Sequence, residues 1–211
     1  MAFCFTRERT QVMGILNLTP DSFSDGGDYF LPEDALRRAL ELQAQGADIL
    51  DLGAQSTRPG HSPLPSAEEL NRLLPLLELL RGRLHIPISI DTFYPEVAQA
   101  ALERGAAIIN DVSGVVDVNM ARVILRYNAG WVLMHNGGGA DETQNYLPDV
   151  VCAVRTALEE MADAALRLGL KKEQICLDPG IGFGKSQADN LLLLKYTAQF
   201  SSLGFCVLVG A

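Results

Sequence analysis

The sequence lacks an excess of positive charge: 17 Lys and Arg residues stand against 26 Asp and Glu residues, which gives a net charge of −9. Nucleic-acid-binding proteins usually carry a basic patch, and this chain has no Lys/Arg cluster, so we expect no nucleic-acid partner. An acidic surface also does not attract anionic substrates from a distance. Any anion site must therefore be built locally by a few side chains.

Cysteine is scarce as well. The four cysteines show no C-x-x-C spacing, and three of them lie in apolar surroundings, which predicts small buried side chains in a reducing compartment. The N-terminus has no long apolar core, so we expect no signal peptide, and no apolar run approaches the length of a membrane span. We expect a soluble, cytoplasmic protein with no membrane partner. The cysteines are Cys4, Cys152, Cys176 and Cys206.

Hydrophobic residues are abundant, at 48% of the 211 residues against 20% charged, which is enough for a large core. Short apolar segments alternate with amphipathic ones without a composition break. This alternation predicts parallel strands, each followed by a helix, in a single domain over residues 1–211. Ser66 and Glu69 have the spacing of a capping box at the start of the second helix. The predicted strands cover 12–16, 47–53, 86–91, 106–111, 130–135, 174–178 and 205–210; the predicted helices cover 32–46, 66–83, 95–105, 119–127, 151–168 and 187–200.

Near-continuous apolar strands, including the first at 12–16, indicate an α/β sheet buried on both faces. This pattern alone leaves a doubly wound sheet open. Polar residues follow six of the strand ends, and that favours a (β/α)8 TIM barrel, in which all strand ends meet at one mouth. Such a barrel typically needs about 250 residues, so we expect the last one to two units to be missing from the chain.

The polar residues at the strand ends are candidate binding residues. Singly, each has an ordinary structural explanation as a helix cap or turn former, but coincidence across six loops around one cavity is much less common. Carboxylates and an amide suit the amide-and-amine edge of a flat heterocycle. The glycines of 179–184 allow close approach of the backbone to a ring, and Phe183 is available for stacking. The strand-end residues are Asn17, 56–58, Asp91, Asn110, Asp111, His135 and Asp178.

The segment 11–27, QVMGILNLTPDSFSDGG, resembles the opening signature of the dihydropteroate synthase family. STRPG at 56–60, IDT at 90–92, IND at 109–111 and DPGIGFGK at 178–185 are similar to that family in the same order. The resemblance therefore covers essentially the whole chain. The first two loops are the specific ones, because other pterin-binding barrels, such as methyltetrahydrofolate-corrinoid methyltransferases, share only the later positions.

The resemblance implies a transferase of folate biosynthesis, the target of sulfonamides, that condenses 6-hydroxymethyl-7,8-dihydropterin diphosphate with p-aminobenzoate to give 7,8-dihydropteroate and pyrophosphate. It also implies a homodimer, and Mg²⁺ bound at Asn17. The residues implied for the pterin are Asp91, Asn110, Met134, Asp178, Gly182 and Phe183; those for p-aminobenzoate are Phe23, Ser56, Thr57, Arg58 and Pro59; and those for catalysis are Asp25, Arg58, Asp91 and Asp178.

The chemistry of these substrates favours a dissociative step. The electron-rich pterin can support a carbocation at its exocyclic CH₂, carboxylates stabilise that cation, and Mg²⁺ stabilises the leaving group. The arylamine is already a neutral nucleophile near pH 7, so none of the three histidines needs a catalytic role.

Three features depart from the family pattern. Gln55 stands where a Glu usually precedes STRPG, and three glycines at 137–139 follow Asn136 in a loop that we expect to be mobile. The lysine and anion-site residues of the family's last strands are absent, so we expect the 211 residues alone to be inactive. The alternatives that stay open are a non-catalytic pterin-binding paralogue and a pterin-dependent methyltransferase.

Overall fold

The computed structural model describes residues 3–18, 32–55, 64–137 and 149–210, in which strands and helices alternate in the predicted order. These residues fall into two compact units: the N-terminal unit, 8–18, 32–55 and 64–110, and the C-terminal unit, 3–7, 111–137 and 149–210. The assignment of 1–211 to a single domain stays a prediction. The strands are β1 Met13–Asn17, β2 Ile49–Gly53, β3 Ile88–Asp91, β4 Ile108–Asp111, β5 Gly130–Met134, β6 Ile175–Asp178 and β7 Cys206–Val207; the helices are α1 Pro32–Ala44, α2 Ser66–Leu80, α3 Pro95–Glu103, α4 Val118–Tyr127, α5 Val150–Arg167, α6 Gln187–Lys195 and α7 Thr197–Ser201.

The N-terminal unit is a parallel sheet of β1, β2, β3 and β4, in that order, packed with three helices. Every residue of β2 is buried, as expected for a parallel strand covered on both faces. Each helix buries an apolar stripe, and that of α2 includes the fully buried Leu73, Leu76 and Leu80. Burial of this apolar surface is the main stabilising term of the unit.

The prediction that the first strand is buried on both faces is wrong. Ile15 in β1 is 64% exposed, and Val12 directly before the strand is 58% exposed. β1 lies at one end of the strand order, so among the described residues it has a strand neighbour, β2, on one side only. The apolar run therefore identified a strand correctly but overstated its burial.

The C-terminal unit carries β5, β6 and β7 as parallel neighbours, with α5 among the helices that flank them. The indole Nε1 of Trp131, fully buried in β5, donates a 3.2 Å hydrogen bond to the carboxylate of Asp111. Asp111 also accepts a bond from the Ser113 amide at 3.0 Å, so this buried carboxylate has two donors. The Asp149 side chain caps the first turn of α5 by accepting from the amides of Val151 and Cys152.

Two details of the helices differ from the prediction. α2 begins without a capping box, because Pro65 precedes it and no side chain makes a cap hydrogen bond. The helix predicted over 187–200 is two helices, α6 and α7, since Tyr196 between them adopts φ −107° and ψ 22°, outside the helical region. None of the helices in the described ranges is long and apolar enough to cross a membrane.

The cysteines are less uniformly buried than predicted. Cys176 in β6 is buried and Cys206 in β7 is half-buried, in agreement with the prediction, whereas Cys4 and Cys152 are exposed. Cys152 lies on α5 beside the inward-facing Val151. Its position on the helix, rather than the apolar residues around it in the sequence, therefore decides its exposure.

Glu69 is a buried carboxylate inside α2. Its side chain is fully buried, and neither carboxylate oxygen has a hydrogen-bond partner among the described residues. Burial raises the pKa of Glu69 to about 7, the neighbouring Thr92 hydroxyl opposes the shift, and the negative charge of Glu96 adds to it. The residue that the sequence pattern placed in a capping box is therefore a buried acid.

The raised pKa of Glu69 predicts a pH-dependent stability. The folded state holds this proton more tightly than the unfolded chain, so the free energy of unfolding falls as pH rises from about 4.5 to about 7. Glu69→Gln removes that ionisation and should gain about 2–3 kcal/mol relative to the wild type over this range. Urea unfolding at several pH values measures the difference. The exposed neighbour Glu68→Gln is the control, and a Glu69→Gln curve parallel to the wild type would contradict the prediction.

Candidate functional site

The residues predicted at the ends of β1, β3 and β4 form one row across the sheet of the N-terminal unit. Asn17 is the register partner of Gly53, Gly53 of Asp91, and Asp91 of Asn110. Neighbouring residues in parallel register point to the same face of a sheet, so the three polar side chains share one face. The row lies at the carboxyl ends of the strands, where α/β folds carry their binding sites.

Gly53 is the one residue of this row without a side chain, and the side chains beside it leave little space for a larger residue. A Cβ on Gly53 would lie 3.1 Å from Oδ1 of Asn17 and 3.6 Å from Oδ2 of Asp91. The side chains of Asn17 and Asp91 therefore approach each other across the glycine. Their two oxygen atoms, which are of the hard type that binds metal ions such as Mg²⁺, lie on either side of the position that a Cβ would take.

Asp51 fixes the orientation of the Asn110 amide. Asp51 lies two residues before Gly53 on the same strand, so the two face the same side of the sheet. Its Oδ2 accepts a 3.2 Å hydrogen bond from Nδ2 of Asn110. Oδ1 of Asn110 is buried and accepts no hydrogen bond in the described part of the chain. The amide therefore presents a free acceptor, which is the group that an N–H of a heterocycle needs.

The environment of Asp51 is strongly apolar. The residue is 4% exposed, and burial raises the pKa of its carboxyl, while the neighbouring Ser89 hydroxyl and Asn110 amide oppose the shift. No cation of the described residues contributes to the pKa of Asp51, and a buried carboxyl without one is costly to keep, which indicates a role beyond stability. The signal was present in the sequence as the second of the two acids in ADILDLG, but alternation alone does not separate it from a strand-end residue.

In the C-terminal unit, Met134 at the end of β5 is the register partner of Asp178 at the end of β6. Met134 is fully buried, and Asp178 is 7% exposed. Oδ1 of Asp178 accepts a 2.7 Å hydrogen bond from the amide of Gly180. Burial raises the pKa of Asp178 to about 6, with the Gly180 hydrogen bond and the Lys185 charge opposing the shift. Asp178 is therefore ionised at neutral pH and can accept hydrogen bonds.

The glycines after Asp178 form a tight loop against the chain that follows β5. Gly180 has a φ of +66° and Gly184 a φ of +60°, a region that favours glycine, and a Cβ on them would collide with the carbonyl oxygens of His135 and Gly137. Gly182 is exposed, and its amide donates to the Asn190 side chain at 2.9 Å, while Phe183 is half-buried. The glycines thus serve close packing between two backbone segments.

Lys185, at the end of this loop, is a buried cation that the sequence reasoning missed. Its Nζ donates to three backbone carbonyls, those of His135 at 3.0 Å, Gly180 at 2.8 Å and Phe183 at 2.7 Å. Burial lowers the pKa of Lys185 to about 8, with Asp178 and Asp189 opposing the shift. Burial and the Lys185 charge lower the pKa of His135 to about 4, so its imidazole is neutral at pH 7.

Part of the predicted site lies outside the described residues, and the roles of those residues stay predictions. Within the described residues no group of three or more His, Cys, Asp and Glu side chains is placed to hold a metal ion. Gln55 is described: it is buried, and its Oε1 accepts from the Leu64 amide at 3.3 Å. The predicted residues outside the described ranges are Phe23, Asp25, Ser56, Thr57, Arg58 and Pro59, together with 138–139 of the glycine loop.

The contact between Asp51 and Asn110 predicts a binding defect when Asp51 is shortened. In Asp51→Ala, Nδ2 of Asn110 loses the acceptor that fixes the orientation of the amide. The affinity for the dihydropterin substrate should therefore fall about 10-fold, the equivalent of one hydrogen bond. Asp51→Asn keeps an acceptor for Nδ2 and should bind within a few-fold of the wild type. Isothermal titration calorimetry on folded protein measures both. Equal losses in the two variants would contradict the orienting role.

Known proteins share these elements and motifs. A family model described as a pterin binding enzyme matches residues 13–211. The dihydropteroate synthase of Clostridium beijerinckii is 42% identical over 204 residues, which span 96% of this chain and 74% of that protein. The dihydropteroate synthase of Bacillus subtilis is 44% identical over 207 residues, which span 96% of this chain and 70% of that protein.

Solved structures agree with these relatives. A Clostridium difficile dihydropteroate synthase, determined in the presence of pteroic acid, has a TM-score of 0.88 at 45% identity, over 97% of this chain and 76% of that chain. A Xanthomonas albilineans dihydropteroate synthase with 4-aminobenzoic acid has a TM-score of 0.89 at 43% identity, over 96% and 73%. The predicted α/β TIM-barrel fold and enzyme class are confirmed. The chain belongs to the pterin-binding enzymes and, among them, to the dihydropteroate synthase family.

Proposed function

We propose, on the family resemblance, that Asp91, Asn110 and Asp178 are pterin ligands of this transferase. As a dihydropteroate synthase, it condenses 6-hydroxymethyl-7,8-dihydropterin diphosphate with p-aminobenzoate in folate biosynthesis. The observation that carries the assignment is the preparation of these acceptors before a ligand binds: Asp51 orients Asn110, and the Gly180 amide holds Asp178. Acceptors fixed in advance lose little freedom on binding, which favours affinity.

The reaction that we propose is dissociative. The bond between the exocyclic CH₂ and the diphosphate oxygen breaks, and its electron pair leaves with pyrophosphate. The amine nitrogen of p-aminobenzoate then bonds to that carbon and loses a proton to solvent. An ionised Asp178, with a pKa of about 6, is suited to stabilise the positive charge that spreads over the pterin. A neutral His135 needs no part in these steps.

Pyrophosphate release that depends on p-aminobenzoate tests the reaction and Asp178 together. On the full-length protein, we expect release with dihydropteroate as product. Asp178→Asn should lower kcat/KM for the pterin substrate about 100-fold, because a charged hydrogen-bond acceptor is lost. The exposed Asp163→Asn is the matched control and should be unchanged.

Two results would contradict the assignment. A slower rate for Asp178→Asn with undiminished pterin affinity would separate Asp178 from pterin binding. Tight pterin binding by the wild type without pyrophosphate release would favour a non-catalytic pterin-binding role.

We further propose Mg²⁺ as the cofactor and Asn17 as its protein ligand. Mg²⁺ prefers oxygen donors and often keeps several waters beside one or two protein groups and substrate phosphates, so a single amide oxygen beside Asp91 fits it. Bound there, the ion would offset the charge of the leaving diphosphate. Asn17→Ala should raise the Mg²⁺ concentration for half-maximal rate several-fold, whereas the exposed Asn119→Ala should not. An unchanged Mg²⁺ dependence in Asn17→Ala would contradict this role.

A homodimer in the cytoplasm is proposed on the family resemblance. The exposed Leu191 and Leu192 of α6 support the dimer, because apolar side chains in solvent gain stability when a partner covers them. Sedimentation velocity on the full-length protein measures its mass, and a monomer would contradict this proposal.

A further inference from the structure

Lys185 has no donor left for a ligand. A lysine ammonium has three N–H groups, and three backbone carbonyls lie within hydrogen-bond distance of its Nζ, at 2.7, 2.8 and 3.0 Å. Only 8% of the residue is exposed. The side chain therefore acts on its own protein, as a charged link between the chain after β5 and the loop after β6.

One residue, Gly180, joins Lys185 to Asp178. The carbonyl of Gly180 accepts from Lys185 at 2.8 Å, and the amide of Gly180 donates to the Asp178 carboxylate at 2.7 Å. Gly180 also has a positive φ, in the left-handed region that favours glycine. Its hydrogen bonds to Lys185 and Asp178 hold it in this conformation. Lys185 thus fixes the residue whose amide holds the carboxylate.

A second hydrogen bond completes the arrangement. The amide of His135 donates to the carbonyl of Asp178 at 2.8 Å, while the carbonyl of His135 accepts from Lys185. The residue after β5 therefore binds both Asp178 and Lys185. Loss of the ammonium would leave three carbonyls without this donor, and each buried polar group without a partner is costly.

We propose that Lys185 is a positioning residue for the transferase reaction, which holds the Asp178 carboxylate in place through Gly180 and keeps it ionised for the pterin. The inference rests on the proposed role of Asp178 as a pterin ligand. The three N–H groups of Lys185 are used within the protein, so its contribution is geometric through Gly180 and electrostatic through its charge.

The electrostatic part follows from the charges nearby. Opposite charges in a poorly solvated site favour each other's ionised form, so Lys185 lowers the pKa of Asp178 and Asp178 raises that of Lys185. Among the described residues, the other titratable groups that interact with the pair are His135, which is neutral at pH 7, the Cys176 thiol, whose pKa burial raises well above its usual value, and Asp189 of α6. Lys185 is therefore the cation of this set at neutral pH.

The test compares Lys185→Met with Lys185→Arg and with Lys195→Met, which removes an exposed lysine of α6 as a matched control. Carbon-13 NMR titration measures the pKa of the Asp178 carboxyl, and steady-state kinetics on the full-length protein measures kcat/KM for the dihydropterin substrate from pH 5 to 9. Lys185→Met should raise the Asp178 pKa by about one unit and move the acid limb of the profile with it. Lys185→Arg should keep the pKa, and the control should match the wild type.

The outcomes separate the two proposals. An Asp178 pKa that does not move in folded Lys185→Met overturns the role of Lys185. A raised pKa with unchanged pterin affinity at a pH below it overturns the role of Asp178 as a pterin ligand, because protonation would then not affect binding. Should Lys185→Met not fold, the reciprocal variant Asp178→Asn decides: the pKa of Lys185 should fall further below its usual range, and an unchanged value overturns the coupling.

Discussion

The register of the parallel strands is the constraint on which the candidate site depends. Asn17, Gly53, Asp91 and Asn110 come from four strands that are distant in sequence, yet they are successive partners in the sheet. A slip of one residue in any strand would turn its side chain to the opposite face. In the buried strands such a slip would also disrupt the close packing of apolar residues such as Leu52 and Ile90, which lie directly before the strand ends. The hydrophobic core therefore sets the geometry of the polar row.

The polar groups of both units are held by short-range contacts within a poorly solvated interior. Asp51 orients the amide of Asn110 in the N-terminal unit, and Lys185 with the Gly180 peptide holds Asp178 in the C-terminal unit. Burial raises the pKa of both carboxyls. Keeping such groups inside a protein lowers its stability unless they are paired, and this cost supports the proposed role of these residues in recognition of the pterin.

Prediction succeeded where one physical rule dominated. Near-continuous apolar runs located the seven strands found in the described ranges, because the strands of a parallel sheet are rich in apolar residues, and the polar residues at the strand ends indicated the barrel class. Prediction failed where contacts with residues distant in sequence decide the burial or the conformation. Glu69 is a buried acid rather than a capping residue, Tyr196 divides a helix that looked continuous, and Ile15 is exposed. Each outcome depends on packing that a local pattern does not contain.

The sequence by itself determined the alternation of strands and helices, the strand-end residues Asn17, Asp91, Asn110 and Asp178, and, through its loop motifs, the resemblance to the dihydropteroate synthases. These features are local, since periodicity and motif order need no partner. Only the tertiary structure decided that Asp51 contacts Asn110 and that Lys185 donates to three backbone carbonyls. Asp51 and Asn110 are 59 residues apart, and Lys185 and His135 are 50 apart, so their pairing follows from strand register and loop packing.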